Sequence, residues 1–367
     1  VCGPVGGRQL IGGLGTLDID DAGRGTWSAI AGGGQRSVNF DQVGVDGRLR
    51  FASDLDTDWW GRIAASGDVA VASHPDDAGL WWMVRTDAGQ PALPSDLAGD
   101  WHVVLTSVGF NVPWRLVTGR VSFDASGCIK ASDPVDGLNQ DAEHPFGLLP
   151  VALGACATTG SGGRLRFPLF DVGRTTNAFE GTLTRGRGLG VFMSSDGLFY
   201  GPDTLVLVRV TDEAVPDLPA MFGTYAFTRN DPGAVPVEGD GGTDRAFRTE
   251  FGGATFDAIG DGAAWAWWPV GDGSYASASW SNGRARVLAD GYYRIALLPE
   301  SGEGLISDGL PVEPRGDWPT MPMFIAYPRA ADGRAAVGAL SVFVWVDDLD
   351  IDTNPLTRAL VPAGDAR

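Results

Sequence analysis

Two runs of alternating aspartates are the residues in this chain best spaced for chemistry. Asp54, Asp56 and Asp58 form one; Asp348, Asp350 and Asp352, with Asp347 ahead of them, form the other. In an extended segment residues two apart share a side, so each run crowds like charges that only solvent or a cation can relieve. Ca²⁺, a hard cation that takes carboxylate oxygens, is the candidate cofactor for such a pattern. Neither run is an EF-hand loop, because the glycine and the closing glutamate of that loop are both missing. Solvated acidic loops on an acidic protein are the plainer reading of the same residues.

Trp59 and Trp60 follow the first run directly, and a second pair stands at Trp81 and Trp82. Paired carboxylates beside tryptophan suit a glycoside hydrolase, whose two acids lie about 5–10 Å apart across the scissile bond. The same tryptophans suit a non-catalytic glycan platform, or the lining of a barrel that holds an apolar ligand. Tryptophan at alternating strand positions is also ordinary barrel filling. No single carboxylate stands out as catalytic among so many. His74, His102 and His144 are scattered, with no cysteine or histidine at ligand spacing, which speaks against a histidine metal site or a triad. There is no Gly-x-Ser-x-Gly elbow and no phosphate loop. The inventory favours a non-enzymatic protein, with a glycoside hydrolase as the runner-up.

Of the three cysteines, Cys2, Cys128 and Cys156, the last two fall within one repeat unit and are expected to form a disulfide. Such a bond fits an extracytoplasmic setting. Buried free thiols are the alternative.

The strands that must position these residues announce themselves by repetition. Gly47-Arg48-Leu49-Arg50-Phe51 returns letter for letter at Gly163-Arg164-Leu165-Arg166-Phe167, and its pattern returns at Gly283-Arg284-Ala285-Arg286-Val287. Each copy follows a turn signal, the third being Asn282-Gly283, the preferred two-residue hairpin turn. An earlier hairpin also recurs three times: a strand closing on aspartate (Asp18, Asp124, Asp257), then a glycine-bearing turn at Asp20 to Gly23, Ala125 to Gly127 and near Gly260 to Gly262. There the aspartate is suited to accept from backbone N–H groups and the glycine to supply positive φ.

Each unit then ends in an apolar strand closing on arginine, at Leu80 to Arg85, Leu205 to Arg209 and Met323 to Arg329. Pro- and Asp-containing connectors follow, and they set the expected divisions: 1–92, 93–217 and 218–337, with 338–367 a closing strand and tail. The last strand, Gly338 to Val346, has the look of an opening strand with no unit behind it. It is therefore expected to complete unit 1. This places both aspartate runs, with His74, Asp76 and Asp77, on one rim of that unit.

The chain reads as all-β, in three tandem pseudo-repeats of about eight short antiparallel strands joined by tight turns. An up-and-down barrel per unit suits that turn pattern, and a six-bladed propeller with terminal strand closure is the alternative. The opening strands Gly99-Asp100-Trp101 and Gly223-Thr224-Tyr225, each followed by a long loop, resemble those of lipocalin-type calycin barrels. The resemblance implies a barrel fold and nothing about chemistry.

A net charge of −19 opposes nucleic acid or an anionic membrane as partner. No run of 18 apolar residues is present, and the start lacks a signal-peptide pattern, as a mature, processed chain would. The expectation is a secreted, periplasmic or cell-surface bacterial protein with a structural or interaction role in an assembly. Its expected partners are other protein chains or glycans. Carbohydrate or small-ligand binding is the alternative.

Overall fold

A computed structural model describes residues 2–4, 12–20, 22–29, 34–43, 48–53, 59–64, 67–73, 80–86, 90–107, 115–135, 137–140, 147–171, 178–194, 203–210, 223–236, 245–257, 259–269, 275–287, 293–298, 305–312, 323–329 and 340–346. For some strand residues, most of them after 222, the backbone alone is described. The protein is all-β, with three antiparallel sheets in tandem and no α-helix among the described residues. Each sheet curls until its first strand pairs with its last, unlike the open blade of a propeller. The first and third sheets close fully as barrels, whereas the second is a ten-stranded, barrel-like sheet whose remaining gap is crossed by the isolated bridges Cys128–Cys156 and Val151–Phe170.

Barrel 1 comprises β1 (Cys2–Pro4), β2 (Gly12–Ile19), β3 (Arg24–Ala29), β4 (Gln35–Val43), β5 (Arg48–Ser53), β6 (Trp59–Ile63), β7 (Val69–Ser73) and β8 (Trp81–Val84). It closes through β1, which pairs with β2 and, at Cys2 opposite Trp82, with β8. Unit 1 thus carries its own opening strand. Cys2-Gly3-Pro4 has neither the length nor the apolar alternation that marks a strand in sequence.

Barrel 2 begins with a 3₁₀ turn, η1 (Pro94–Leu97), and β9 (Gly99–Ser107). It continues through β10 (Arg115–Phe123), β11 (Ile129–Asp133), β12 (Leu138–Gln140), β13 (Leu148–Leu149), β14 (Thr158–Thr159), β15 (Leu165–Pro168), β16 (Ala178–Leu183), β17 (Leu189–Ser194) and β18 (Asp203–Arg209). Barrel 3 comprises β19 (Gly223–Pro236), β20 (Arg245–Phe256), β21 (Asp261–Pro269), β22 (Tyr275–Val287), β23 (Tyr293–Leu298), β24 (Leu305–Val312), β25 (Met323–Pro328) and β26 (Leu340–Val346).

The C-terminal strand corrects the expected closure. β26 pairs with β19 along Leu340 to Val346 and with β25, so it completes barrel 3 and not unit 1. The cause of the discrepancy lies at Asn282-Gly283. β22 runs through that dipeptide without turning, opposite β21 on one side and β23 on the other. Reading the dipeptide as a hairpin splits one strand into two, fills unit 3 one strand early, and leaves β26 over.

The same shift affects the repeat. The first two Gly-Arg-Leu-Arg-Phe copies occupy equivalent strands, β5 and β15, with Leu49, Phe51, Leu165 and Phe167 buried. Each leucine faces a glycine on the next strand, Leu49 opposite Gly61 and Leu165 opposite Gly181. The third copy lies in β22, one strand earlier in its barrel.

The aspartate turns are equivalent in all three barrels. Asp20, Asp124 and Asp257 each accept, through Oδ1, from the N–H groups two and four residues on, at 2.8–3.0 Å. The glycine three residues on adopts positive φ (76° at Gly23, 78° at Gly127, 84° at Gly260). Within this turn, that is the position where the backbone needs glycine's freedom. These aspartates are structural.

Immediately after that turn, each barrel makes a cross-strand pair. In barrel 1 it is Arg24 opposite Asn39, and in barrel 3 Asp261 opposite Arg284, an ion pair at 3.3 Å. In barrel 2 it is Cys128 opposite Cys156, joined as a disulfide. The substitution has a topological reason. Barrel 2 inserts a segment holding β12 and β13 between β11 and β14, so the ladder that joins β3 to β4 and β21 to β22 is largely missing here. Around the bond the seam is held by three backbone hydrogen bonds, between Ile129 and Ala155, Gly154 and Ile129, and Ala157 and Gly127.

The bond closes a 28-residue separation, for which loop-closure entropy gives about 3–4 kcal/mol. The double variant Cys128→Ser/Cys156→Ser is expected to lose about that much in chemical denaturation. Amide exchange at Ile129 and Ala157 should rise before that of β17 and β18.

The three barrels share one apolar hub. Val69, Val71, Leu80 and Trp82 from β7–β8 meet Leu189, Val191, Met193, Val206 and Val208 from β17–β18, and Met323, Ile325, Tyr327, Leu340 and Val342 from β25–β26. Each barrel thus turns the outer face of its last two strands inward. Their inner faces are buried as well: Leu205 and Leu207 alternate with Val206 and Val208. Burial on both faces explains why the closing strands read as unbroken apolar runs.

Candidate functional site

The sequence-derived site residues fall in three places. Asp54, Asp56 and Asp58, and Asp348, Asp350 and Asp352, lie outside the described residues, as do His74, Asp76, Asp77 and His144. Their strand contexts are clear, however. The first run connects β5 to β6 in barrel 1, whereas the second follows β26, which belongs to barrel 3. The shared rim depended on β26 lying in unit 1, so that arrangement does not hold. Among the described residues no cluster of His, Cys, Asp or Glu is disposed to hold a metal.

The tryptophans are core. Trp59 and Trp81 face the interior of barrel 1 with Trp27 and Phe51, their own rings 4.7 Å apart and Trp59 stacked on Phe51 at 5.8 Å. Rings in mutual contact fill the barrel at that level. Trp82 points the other way, into the hub. A glycan platform needs a ring face in water, and these three rings are 1–5% exposed. The side chain of Trp60 lies outside the description.

Barrel 2 shows an arrangement that the sequence reading missed. One end is sealed. η1 tucks Leu97 under the barrel, and Trp101 at the start of β9 donates its indole N–H to the Leu97 carbonyl at 2.6 Å. Arg209, from the far end of the chain's path through the barrel, lies over the Trp101 ring at 4.3 Å. Its guanidinium donates to the carbonyls of Ala98, Asp96 and Arg187. The other arginines that close apolar strands in sequence do different work. Arg329 pairs with Asp308 at 2.8 Å, and Arg85 is exposed.

Towards the opposite end, aromatic rings (Phe167, Phe192, Phe170, Phe179) form the interior. Beyond them the interior turns polar. Ser194 on β17 pairs with Asp203 on β18, Asp203 with Ser107 on β9, and Ser107 with Arg115 on β10. One cross-strand row therefore spans four strands. Ser194, Asp203 and Arg115 share the inward parity of Phe192, Leu205 and Val117.

Gln140 joins the row from β12, accepting from Arg115 at 3.4 Å and donating to the Gly147 carbonyl at 3.1 Å. β12 reaches this place because β10 bends at Gly119 (φ 155°), pairing with β12 before the bend and with β11 after it. A Cβ at Gly119 would meet Leu138 and the Asp133 carbonyl within 3 Å. Asp203 and Ser194 are 0% and 1% exposed, and the Ser194 hydroxyl has no hydrogen-bond partner among the described residues. The available signal was a charge at the inward parity of an apolar strand, in Asp203-x-Leu205-x-Leu207.

On the outer face of β9, His102 sits opposite Arg120 on one side and Val208 on the other. Burial first, and the Arg120 charge second, hold its pKa at about 3, below the ordinary 6.5. The folded state therefore prefers neutral imidazole. Its contribution is complete above about pH 6.5 and is lost as pH falls towards 3, at about 1.4 kcal/mol per unit. His102→Gln is expected to flatten that part of the stability–pH curve relative to the parent chain.

No family model matches this sequence, and no curated protein matches it. Among solved structures, one similar chain is described as a "putative outer membrane protein" from Bacteroides fragilis NCTC 9343, 10% identical over 70% of this chain and all of that one, with a TM-score of 0.19. Another is a protein of unknown function from the DUF3598 family of Nostoc punctiforme PCC 73102, 9% identical over 70% of this chain and all of that one, with a TM-score of 0.22. At such scores neither likeness carries fold or function to this chain.

Proposed function

We propose that this chain is an extracytoplasmic, non-enzymatic β protein that serves as a structural or interaction component of a bacterial surface or secreted assembly. The observation that supports this reading is the Cys128–Cys156 bridge at the seam of barrel 2. A barrel whose closure relies on a disulfide where its sisters use a ladder suits an oxidising compartment. The apolar outer faces of the closing strands are spent on the internal hub. Of the large apolar residues exposed among the described ones, Val135, Leu148 and Leu153 belong to the segment inserted in barrel 2, while Ile19, Leu93 and Ile259 are scattered over the three barrels; the inserted segment is the side we assign to a partner.

Rapid alkylation of intact cells, followed by mass spectrometry, tests the compartment. The peptides bearing Cys128 and Cys156 should be recovered linked; recovery of both as alkylated thiols would refute the reading.

A second reading, small-ligand binding, is favoured by the buried polar row of barrel 2. A glycoside hydrolase would need two carboxyls facing one cleft. Among the described residues the interior of barrel 2 offers one, Asp203.

A further inference from the structure

We infer that barrel 3 pairs edge to edge with a second copy of this chain, through Arg245 to Glu250 of β20. β19 and β20 outrun the barrel that they help to close. β26 accompanies β19 only from Thr224 to Asn230, yet β19 runs on to Pro236. β21 pairs with β20 only from Phe251 to Phe256. Both strands extend past that point, β20 back to Arg245 and β21 on to Pro269, but Trp268 and Pro269 stay with β22. Beyond the rim lies a ribbon in which, among the described residues, Asp231 to Pro236 and Arg245 to Arg248 pair only with each other. A two-stranded ribbon is marginal in water by itself, and each of its strands offers an outer row of N–H and C=O groups.

The two edges are unlike. β19 carries Pro232 and Pro236, and it bulges at Gly233-Ala234, where the register shifts between Pro232 and Val235. Proline withholds an N–H and a bulge twists an edge away, so that side is closed to another strand. Arg245-Ala246-Phe247-Arg248-Thr249-Glu250 contains no proline, glycine or bulge. That edge is open.

Its residue types name the occupant. Two copies of the segment, paired antiparallel about a twofold axis between Phe247 and Arg248, put Arg245 of each opposite the partner's Glu250. Opposite charges at directly opposed positions stabilise an antiparallel pair, and like charges destabilise it. Registers with the axis on Arg248, or between Ala246 and Phe247, instead set arginine against arginine. The favoured pairing is isologous, so one contact covers the open edge of both copies. Each copy has a net charge of −19, but at about 0.15 M salt the repulsion is confined to charges within about 8 Å. The segment itself holds two arginines and one glutamate. The inference goes beyond the assembly reading, since it names a partner, and it does not depend on the inserted segment of barrel 2.

Sedimentation velocity of the full chain in about 0.15 M salt, from about 1 to 100 μM, should show a monomer–dimer equilibrium. Arg245→Glu and Glu250→Arg are each expected to weaken the dimer about tenfold, because each sets like charges together twice. An equimolar mixture of the two variants is expected to dimerise again, one copy supplying only carboxylates at these positions and the other only guanidiniums. Arg245→Glu is the cleaner variant, since Arg245 stands opposite Pro236 within the ribbon whereas Glu250 stands opposite Arg229.

A monomer throughout that range would overturn the inference and leave the assembly reading to the alkylation test. A dimer unchanged by both variants would overturn it, as would a mixture that stays monomeric. Protection of every amide from Ala246 to Glu250 against exchange in a monomeric sample would overturn it too, because another segment of the same chain would then cover the edge.

Discussion

A chain ending at Ala336 is expected to lose barrel 3 while keeping the β1–β8 ladder. Removing β26 leaves β19 paired with β20 alone from Thr224 to Asn230 and strips β25 of its second neighbour. Two sheet edges would then be unpaired, each offering a row of N–H and C=O groups to other chains. Leu340 and Val342, 2% and 0% exposed, would leave the hub as well. Burial of each is worth about 1.5–3 kcal/mol, before any cavity is counted.

Against a net stability of about 5–15 kcal/mol for a domain, that loss together with the broken ladder is decisive. Hydrogen exchange resolves where it falls. Amides of β19 and β25 should exchange orders of magnitude faster, with soluble aggregates appearing. Protection in β2 to β6 should persist, because barrel 1 closes through Cys2–Pro4. Collapse of barrel 1 with barrel 3 intact would mean that the C-terminal strand closes unit 1 after all.

Replacing Trp101 is expected to be the most damaging single substitution in barrel 2. The ring is fully buried, donates to Leu97, and carries Arg209 on its face. Trp101→Ala should cost about 3–5 kcal/mol, from lost transfer free energy plus the cavity left behind. Arg209→Ala should cost about 2–3 kcal/mol by a different route, leaving the carbonyls of Asp96, Ala98 and Arg187 without that donor. Arg209→Lys should recover little of this, since an ammonium cannot reproduce the planar fork. A double-mutant cycle between Trp101 and Arg209, read by urea denaturation, should give about 1–2 kcal/mol of coupling for the stacked cation. Coupling near zero would mean that the two residues act independently in sealing this end of barrel 2.

The disulfide and His102 variants probe smaller terms at other places in the same barrel. Their readouts are separable, because one depends on redox state and the other on pH.

The candidate site shows why a sequence yields elements more readily than sites. Asp203 and Arg115 stand 88 positions apart in the chain, and only the pairing of β18 with β9 and of β9 with β10 puts them in one row. The aspartate runs drew attention because their spacing is local, and local spacing is what a sequence displays. The tryptophan pairs misled for a related reason. Adjacent residues on a strand point to opposite sides, so Trp81 fills a barrel while Trp82 fills the hub.

The sequence by itself determined the all-β class, the three units and the turns that carry an aspartate and a glycine. All of these follow from local chemistry: alternation, glycine's access to positive φ, and a carboxylate's reach to nearby N–H groups. Strand count and closure were decided by tertiary structure. Asn282-Gly283 is a strong hairpin signal, yet β22 runs on through it, because β21 pairs with it over Tyr275 to Trp280 and again at Gly283 and Arg284, and β23 takes up the other edge from Asn282 to Val287. Cys2-Gly3-Pro4 has no strand signal, yet it is one, because barrel 1 has an edge to close. Propensity sets a preference of about a kilocalorie per residue, and a ladder with a buried face on each side outweighs it.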